Sequence, residues 1–333
     1  MSLLANTRLS VLDLAPVRQG GTIAETFDNT VTLARHAEAL GYHRFWLAEH
    51  HNAAGIASAA TSVLIGHVAG ATSTIRVGSG GVMLPNHPPL VVAEQFGTLA
   101  TLYPDRIDLG LGRAPGTDGA TIAALGRNPQ SGVSDFPQQV AELSRYLGDE
   151  QPGQRVSAWP GQGTHVPLWL LGSSGYSAQL AAHLGLPFAF AGQFAPGYMM
   201  EALRLYRTQF QPSEVLSEPY AMAGIPLIAA DTDEEAQYQA TTQQQKFLSL
   251  IRGRRIQLAP PVREMDWSPH EQAAISNNLG ASIVGGPDTV RRKLEAFIER
   301  TGVNEVMINS DFFEHADRLR SYEILADIRS GRR

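Results

Sequence analysis

The apolar and polar positions of this chain follow one repeated order. An amphipathic stretch closes at glycine or proline, a short apolar run follows, and polar or glycine residues come directly after it. In residues 23–41, Ile23, Phe27 and Val31, then Leu33, Ala37 and Leu40, fall at helical spacings, and Gly41 is placed to end the helix. The run Phe45-Trp46-Leu47-Ala48 then predicts a buried strand that ends in Glu49-His50-His51-Asn52. Residues 60–70 lead in the same way to Ile75-Arg76-Val77 and the break Gly78-Ser79-Gly80-Gly81. Residues 90–103 lead to Ile107-Asp108-Leu109 and Gly110-Leu111-Gly112-Arg113, and residues 136–147 to Leu168-Trp169-Leu170-Leu171 and Gly172-Ser173-Ser174-Gly175. Residues 176–184 lead to Phe188-Ala189-Phe190, which ends in Gly192-Gln193-Phe194. A strand over 220–229, helices over 233–251, 287–300 and 314–328, and a strand Glu305-Val306-Met307-Ile308 complete the series.

With a first strand at 9–12, the chain holds about eight strand–helix units. Strands that read as continuous apolar runs fit a parallel sheet buried on both faces. Eight such units predict an α/β fold of the (β/α)8 TIM-barrel type, with its active site at the C-terminal ends of the strands. A doubly wound open sheet is the rival, but it uses fewer strands and sets its phosphate loop after the first one. Here the first strand runs into Asp13-Leu14-Ala15-Pro16, with no glycine-rich turn. The whole length, 1–333, is therefore expected to form a single barrel domain. Residues 252–280 break the rhythm with Arg252, Arg254 and Arg255, then Pro260-Pro261 and Trp267-Ser268-Pro269. They are expected to be an irregular insertion, either a lid or a surface loop without function.

Composition narrows the chemistry. Of 333 residues, 43% are hydrophobic and 17% charged, ample for a closed core. The net charge of −6 argues against nucleic acid as the main partner, because phosphate neutralisation needs a clustered positive excess. The absence of cysteine excludes disulfides, thiolate nucleophiles, iron–sulfur clusters and cysteine zinc sites. Residues 1–8 carry no signal pattern and no stretch reaches about 18 uncharged apolar residues, so the cytoplasm is the expected location and no membrane contact is expected.

The strand ends carry the candidate chemistry. His50 and His51 are neighbours in extended chain and point apart, so they are poorly placed to hold one metal ion. No other compact His/Asp/Glu set completes a coordination shell, and no metal is expected. His50 reads either as an active residue at the barrel rim or as a packing histidine. Gly78-Ser79-Gly80-Gly81 lets a flat ligand approach the backbone, or else marks a bulge. The stiff loop Leu84-Pro85-Asn86-His87-Pro88-Pro89 would hang Asn86 and His87 over the mouth as part of a substrate pocket. Gly110-Leu111-Gly112-Arg113-Ala114-Pro115-Gly116 fails as a dinucleotide loop, because its third glycine is one residue late and Pro115 intervenes. Arg113, just past a buried strand, suits a phosphate or carboxylate, or is a plain surface arginine. Gly172-Ser173-Ser174-Gly175-Tyr176-Ser177 sits where a strand turns into a helix, an arrangement that binds phosphate; the alternative is a helix cap by Ser173 or Ser174.

Taken in order, Leu47-Ala48-Glu49-His50-His51, Val77-Gly78-Ser79-Gly80-Gly81-Val82-Met83-Leu84-Pro85, Gly112-Arg113 and Leu171-Gly172-Ser173-Ser174-Gly175-Tyr176-Ser177 resemble the bacterial-luciferase-like flavin monooxygenase family. The likeness is greatest to its single-chain oxidoreductases of mostly unassigned substrate. It spans nearly the whole chain, through Ser282-Ile283-Val284-Gly285-Gly286-Pro287. The resemblance implies a barrel with a lid and reduced FMN across the strand ends. Arg113, Ser173 and Tyr176, with Gly175 in the same turn, would hold the FMN phosphate. Ser79, Gly80 and Gly81 would back the ring, with a cis Gly80–Gly81 peptide. His50 would be catalytic and Glu49 its supporting neighbour. The implied reaction passes through a C4a-hydroperoxyflavin formed from O2, which oxidises a small organic substrate, with reduced flavin supplied by a separate NAD(P)H-dependent reductase. Relatives are often dimers, so a homodimer is expected. Gly112 stands where light-emitting members carry a reactive cysteine, which argues against light emission. Two alternatives stay open: a flavin-binding barrel without turnover, and a deazaflavin-dependent hydride-transfer enzyme. A metal-dependent barrel hydrolase is a third reading.

Overall fold

The computed structural model describes residues 3–114, 117–127, 135–254 and 256–332. Pro115, Gly116 and Arg255, all singled out in the sequence, lie outside the described residues. The strands are β1 (Arg8–Asp13), β2 (Arg44–Leu47), β3 (Arg76–Met83), β4 (Ile107–Gly112), β5 (Leu168–Gly172), β6 (Phe188–Ala191), β7 (Ala221–Ala229), β8 (Ile283–Gly285) and β9 (Glu305–Asn309). Every pairing between them is parallel, running in order from β1 to β7; β7 then pairs with β9, and β9 returns to β1. The result is a closed eight-stranded barrel ringed by helices, the architecture the sequence predicts.

The ninth strand is a departure from the eight expected. β7 is long enough for two partners: residues 222–226 pair with β9, and Leu227 to Ala229 pair with Ile283 to Gly285 of β8. Three residues are too few to show a period, so β8 is invisible to pattern reading.

Alternation along the strands sorts two cores. In β2, Phe45 and Leu47 face the helices, while Trp46 faces the barrel interior. The interior is layered. At its N-terminal end Arg44 bonds Asp108 at 2.6 Å and Glu305 at 2.8 Å, and Arg76 also bonds Asp108 at 2.6 Å. Ser10 and the Tyr220 hydroxyl donate to Glu305, and the Trp46 indole N–H donates to Asp108. All partners of this buried set lie near the starts of their strands, so it forms a polar floor. Above it Trp46 and Trp169 meet edge to face at 5.2 Å, packed with Leu12, Met222 and Met307. The C-terminal end above this aromatic layer is open.

The first long helix, Ile23–Ala39, shows why the helical reading works. Thr22 and Glu25 close a capping box at its start, and Gly41 takes φ +76° just beyond its end. The 252–280 stretch is only half irregular. Residues Pro269–Asn278 form a helix whose own capping box joins Ser268 and Glu271, with Pro269 at the first helical position. The irregular half is pinned to the barrel rim: Gln19 donates to the Leu258 carbonyl and Leu258 to that of Val17, both at 2.8 Å. The same rim strand continues through Val17 to Gly55 and Ala57 to Ala15, so three loops are sewn side by side. A Cβ on Gly55 would collide with the Ile256 carbonyl.

Candidate functional site

Two cavities open at the C-terminal end of the barrel and share Leu12, His50, Gly80, Met83, Gln193 and Phe194. The first, about 360 Å³, lies over the ends of β3 to β7. The second, about 290 Å³, lies between the rim loops, the inner face of the Asp233–Ile251 helix and the exit of β9.

Backbone forms one wall of the first cavity. The Gly80–Gly81 peptide is cis, and the pairing of β3 with β4 shifts register between Gly80 and Val82. A Cβ on Gly81 would lie 2.7 Å from the Gly110 carbonyl, which excludes a side chain there without moving backbone, and one on Gly80 would lie 2.7 Å from Leu12 Cδ1 and force that side chain to shift. Ser79, buried one step earlier, uses its hydroxyl on the sheet itself: it donates to the Gly110 carbonyl at 2.9 Å and accepts from the Gly110 N–H at 3.0 Å. It supports the glycine pair without lining the cavity.

The far end of this cavity carries an arginine, two serines and a helix start. Arg113 leaves β4 with its guanidinium stacked 4.1 Å from the centre of the Tyr176 ring, and no carboxylate among the described residues pairs with it. Ser173 and Ser174 line the same wall. The helix Gly175–Leu184 begins there, and Ser174, at its N-cap position, makes no side-chain cap hydrogen bond. The capping alternative is therefore not what this serine does; the positive end of the helix dipole lies at this end of the cavity, although Gly175 and Tyr176 themselves are not part of its lining. Gln193 adds a buried acceptor: its Oε1 has no donor among the described residues. A ligand N–H or O–H would satisfy it.

His50 leaves β2 into the partition between the two cavities, its own N–H donating to the Ser58 carbonyl at 3.0 Å. His51 turns the other way, as expected for its neighbour. Glu49, fully buried, accepts from His51 Nε2 and His87 Nε2, both at 2.8 Å on one carboxylate oxygen, and from the Met83 N–H at 3.1 Å on the other. Burial raises the Glu49 pKa, but the bonds from His87, His51 and Met83 outweigh it and hold the carboxyl below its ordinary range. The expectation that no compact His/Asp/Glu set exists is corrected here. Glu49, His51 and His87 bring three ligand atoms within 4.8 Å of one another. The set escaped notice because His87 comes from a different strand end, 38 residues on.

Asn86 and His87, expected to border a substrate pocket, stand outside both cavities. Asn86 is buried and its carbonyl accepts from Arg127, while His87 is taken by Glu49; neither lines either cavity. The second cavity is instead walled by Gln243, Lys246, Phe247 and Leu250, one helical face at spacings of three and four, by Asn309 at the end of β9 and by Asp311 just beyond it. Lys246 Nζ bonds both Asp311 oxygens, at 2.9 and 3.1 Å. The sequence holds the parts, Lys246 within the 233–251 helix and Asn309-Ser310-Asp311 after the last apolar run, but nothing in it pairs them.

Comparison with known proteins places this geometry among relatives. The sequence model of a family described as luciferase-like monooxygenase matches residues 7–305. The chain is 61% identical to the Bacillus subtilis (strain 168) protein YvbT, with 97% of both chains covered. It is 53% identical to an Escherichia coli (strain K12) luciferase-like monooxygenase, with 96% of both covered. It is also 33% identical to the N-acetyl-S-alkylcysteine monooxygenase of B. subtilis, over 96% of this chain and 97% of that one. Among solved structures, apo-MsnO8 superposes with a TM-score of 0.90 at 40% identity, over 97% of this chain and 98% of that one. The fold alone is shared with the FMN complex of the oxygenating constituent of 3,6-diketocamphane monooxygenase (TM-score 0.74, 19% identity, 98% and 97% covered). It is shared likewise with an F420-dependent secondary alcohol dehydrogenase (TM-score 0.70, 14% identity, 96% and 97% covered).

Proposed function

The chain belongs to the luciferase-like monooxygenase family, and from that premise we propose that it is an FMN-dependent monooxygenase acting on a small organic substrate. The observation that carries the reading is the first cavity, which joins a glycine wall, a histidine and an end lined by Arg113, Ser173 and Ser174 within one space. These residues fit FMN. Arg113, Ser173 and the N–H groups at Gly175 and Tyr176 would hold the phosphate, Gly80 and Gly81 would lie against the flat ring, and Gln193 Oε1 would take a ligand donor. Reduced FMN, when bound, supplies the electrons that activate O2 for transfer of one oxygen atom to the substrate.

The protein's own tasks are then positioning, water exclusion and proton transfer. His50, on the partition, is placed to hand a proton between the two chambers. Glu49 fixes the loop that carries it by tying the β2 exit to the β3 exit through His87 and Met83. The chain shows no nicotinamide fingerprint, which favours a separate NAD(P)H-dependent reductase as the source of reduced flavin. A homodimer in the cytoplasm, with 252–280 as an insertion or lid within a single barrel domain, completes the proposal. No helix among the described residues is long and apolar enough to cross a membrane.

FMN titration of wild type and Arg113→Ala tests the reading. Loss of charge-assisted bonds worth about 1.5–3 kcal/mol should weaken FMN binding about 10- to 100-fold. Unchanged affinity in the variant would remove the phosphate site from the argument. The fold shared with an F420-dependent enzyme keeps one second reading, deazaflavin hydride transfer. Tighter binding of F420 than of FMN, with no oxygenated product, would replace the first reading by it.

A further inference from the structure

The second cavity has a distinctive charge balance. Apart from His50, its charged lining among the described residues is Lys246 and Asp311, and they are spent on each other. Asp311 is buried, and Lys246 is its hydrogen-bonded cation, with Nζ 2.9 and 3.1 Å from the two carboxylate oxygens. Arg318, whose charge also reaches Asp311, is itself matched by Asp13 at 2.9 Å. The remaining wall is mainly apolar, with Leu14, Ile56, Phe247, Leu250 and Leu258 around the pair.

We propose that this chamber takes an uncharged, mainly apolar substrate carrying one hydrogen-bond acceptor, such as a carbonyl oxygen, and that Lys246, held in place by Asp311, reads that acceptor. The proposal deepens the monooxygenase reading, on which it rests for the reaction that follows at the shared His50 partition. An ammonium has three N–H donors, and Asp311 offers two oxygens to them, so one donor is left for a ligand. A neutral acceptor uses it without disturbing the pair. A carboxylate would have to draw Lys246 away and strand Asp311 in an apolar wall, or set two negative charges against one positive. A cationic substrate would compete with Lys246 for Asp311. Only the neutral ligand leaves the balance of the wall intact, and the apolar surface supplies its affinity.

Calorimetric titration with 2-nonanone and with nonanoate, matched in length and differing in charge, tests the assignment. Both are run on FMN-free and FMN-loaded protein. Wild type is expected to bind the ketone at least tenfold more tightly than the carboxylate. Lys246→Met/Asp311→Leu removes both charges together, so none is left buried alone; ketone affinity should fall at least fivefold, with folding checked by circular dichroism. Lys246→Gln, which keeps a donor, should retain most of the ketone affinity. Equal or tighter binding of nonanoate, ketone affinity unchanged in the double variant, or no ketone binding in either form would overturn the proposal. A parallel FMN titration reads the first cavity by itself. Failure to bind FMN, with the ketone preference intact, would sink the monooxygenase reading and leave the chamber assignment standing.

Discussion

At the scale of single residues, the site rests on a division of labour between neighbours. His50 faces the cavities, whereas Glu49 and His51 on either side of it build the support, because successive side chains of extended backbone leave on opposite faces. If His50 moves the proton, His50→Ala should lower the rate of substrate oxygenation by about 10²–10⁴, with flattening of the pH–rate profile. Steady-state assay with a supplied flavin reductase reads this, and a loss below about threefold would count against the role. The residues facing the cavity were legible in the sequence because they follow a buried strand directly, as with His50, Gly80, Arg113 and Ser173. Glu49 was legible as a neighbour of His50, but not as the hub of two loops, since its partner His87 lies on the next strand end and only the barrel brings them together. Lys246 and Asp311 stayed hidden for a similar reason: one is on a helix and the other on a strand exit, and neither implies the other.

Among the elements, the long helices and the barrel strands were legible because their periods repeat over enough residues to be counted. The exceptions have physical causes. β8 has three residues and depends on the overhang of β7 for its partner. The helix Pro269–Asn278 was concealed by Pro269, the very residue that starts it; Ser268 and Glu271, three apart, were its signature. The irregular half of that stretch is less free than a lid read from sequence would be, since Leu258 is bonded on both sides to the β1 exit. Gly55 permits this close approach. Gly55→Ala is expected to push the Ile256 carbonyl away and loosen the segment. Hydrogen exchange at the Leu258 and Gln19 amides should accelerate at least tenfold, and trypsin should cut sooner at Arg252 or Arg254. Exchange rates equal to wild type would show that the seam does not depend on this glycine.

Across the whole molecule, closure of the barrel depends on charges that meet inside it. Glu305 of β9 joins Arg44 of β2, which in turn holds Asp108 of β4. Removing one member leaves the others buried and mismatched, so Glu305→Leu should destabilise the fold by about 3–5 kcal/mol in urea unfolding. A cost under about 1 kcal/mol would mean that the floor is not a keystone. Acid sensitivity follows from two other, half-buried groups. Burial pushes the His43 and His315 imidazoles down to about 4. The unfolded chain protonates these groups near 6.5 and the folded one only near 4, so their contribution is complete above about pH 6.5 and drains away as pH falls towards 4. The thermal midpoint should drop through that window, and His43→Leu/His315→Leu should flatten the decline. The polar floor has one more consequence, for traffic. Its side chains bridge β2, β3, β4 and β9 and fill the N-terminal end of the barrel among the described residues, so reactants and products are expected to pass at the opposite, C-terminal end. Arrivals and departures would then share one rim, so clearing the spent molecule belongs to the same turnover as admitting the next.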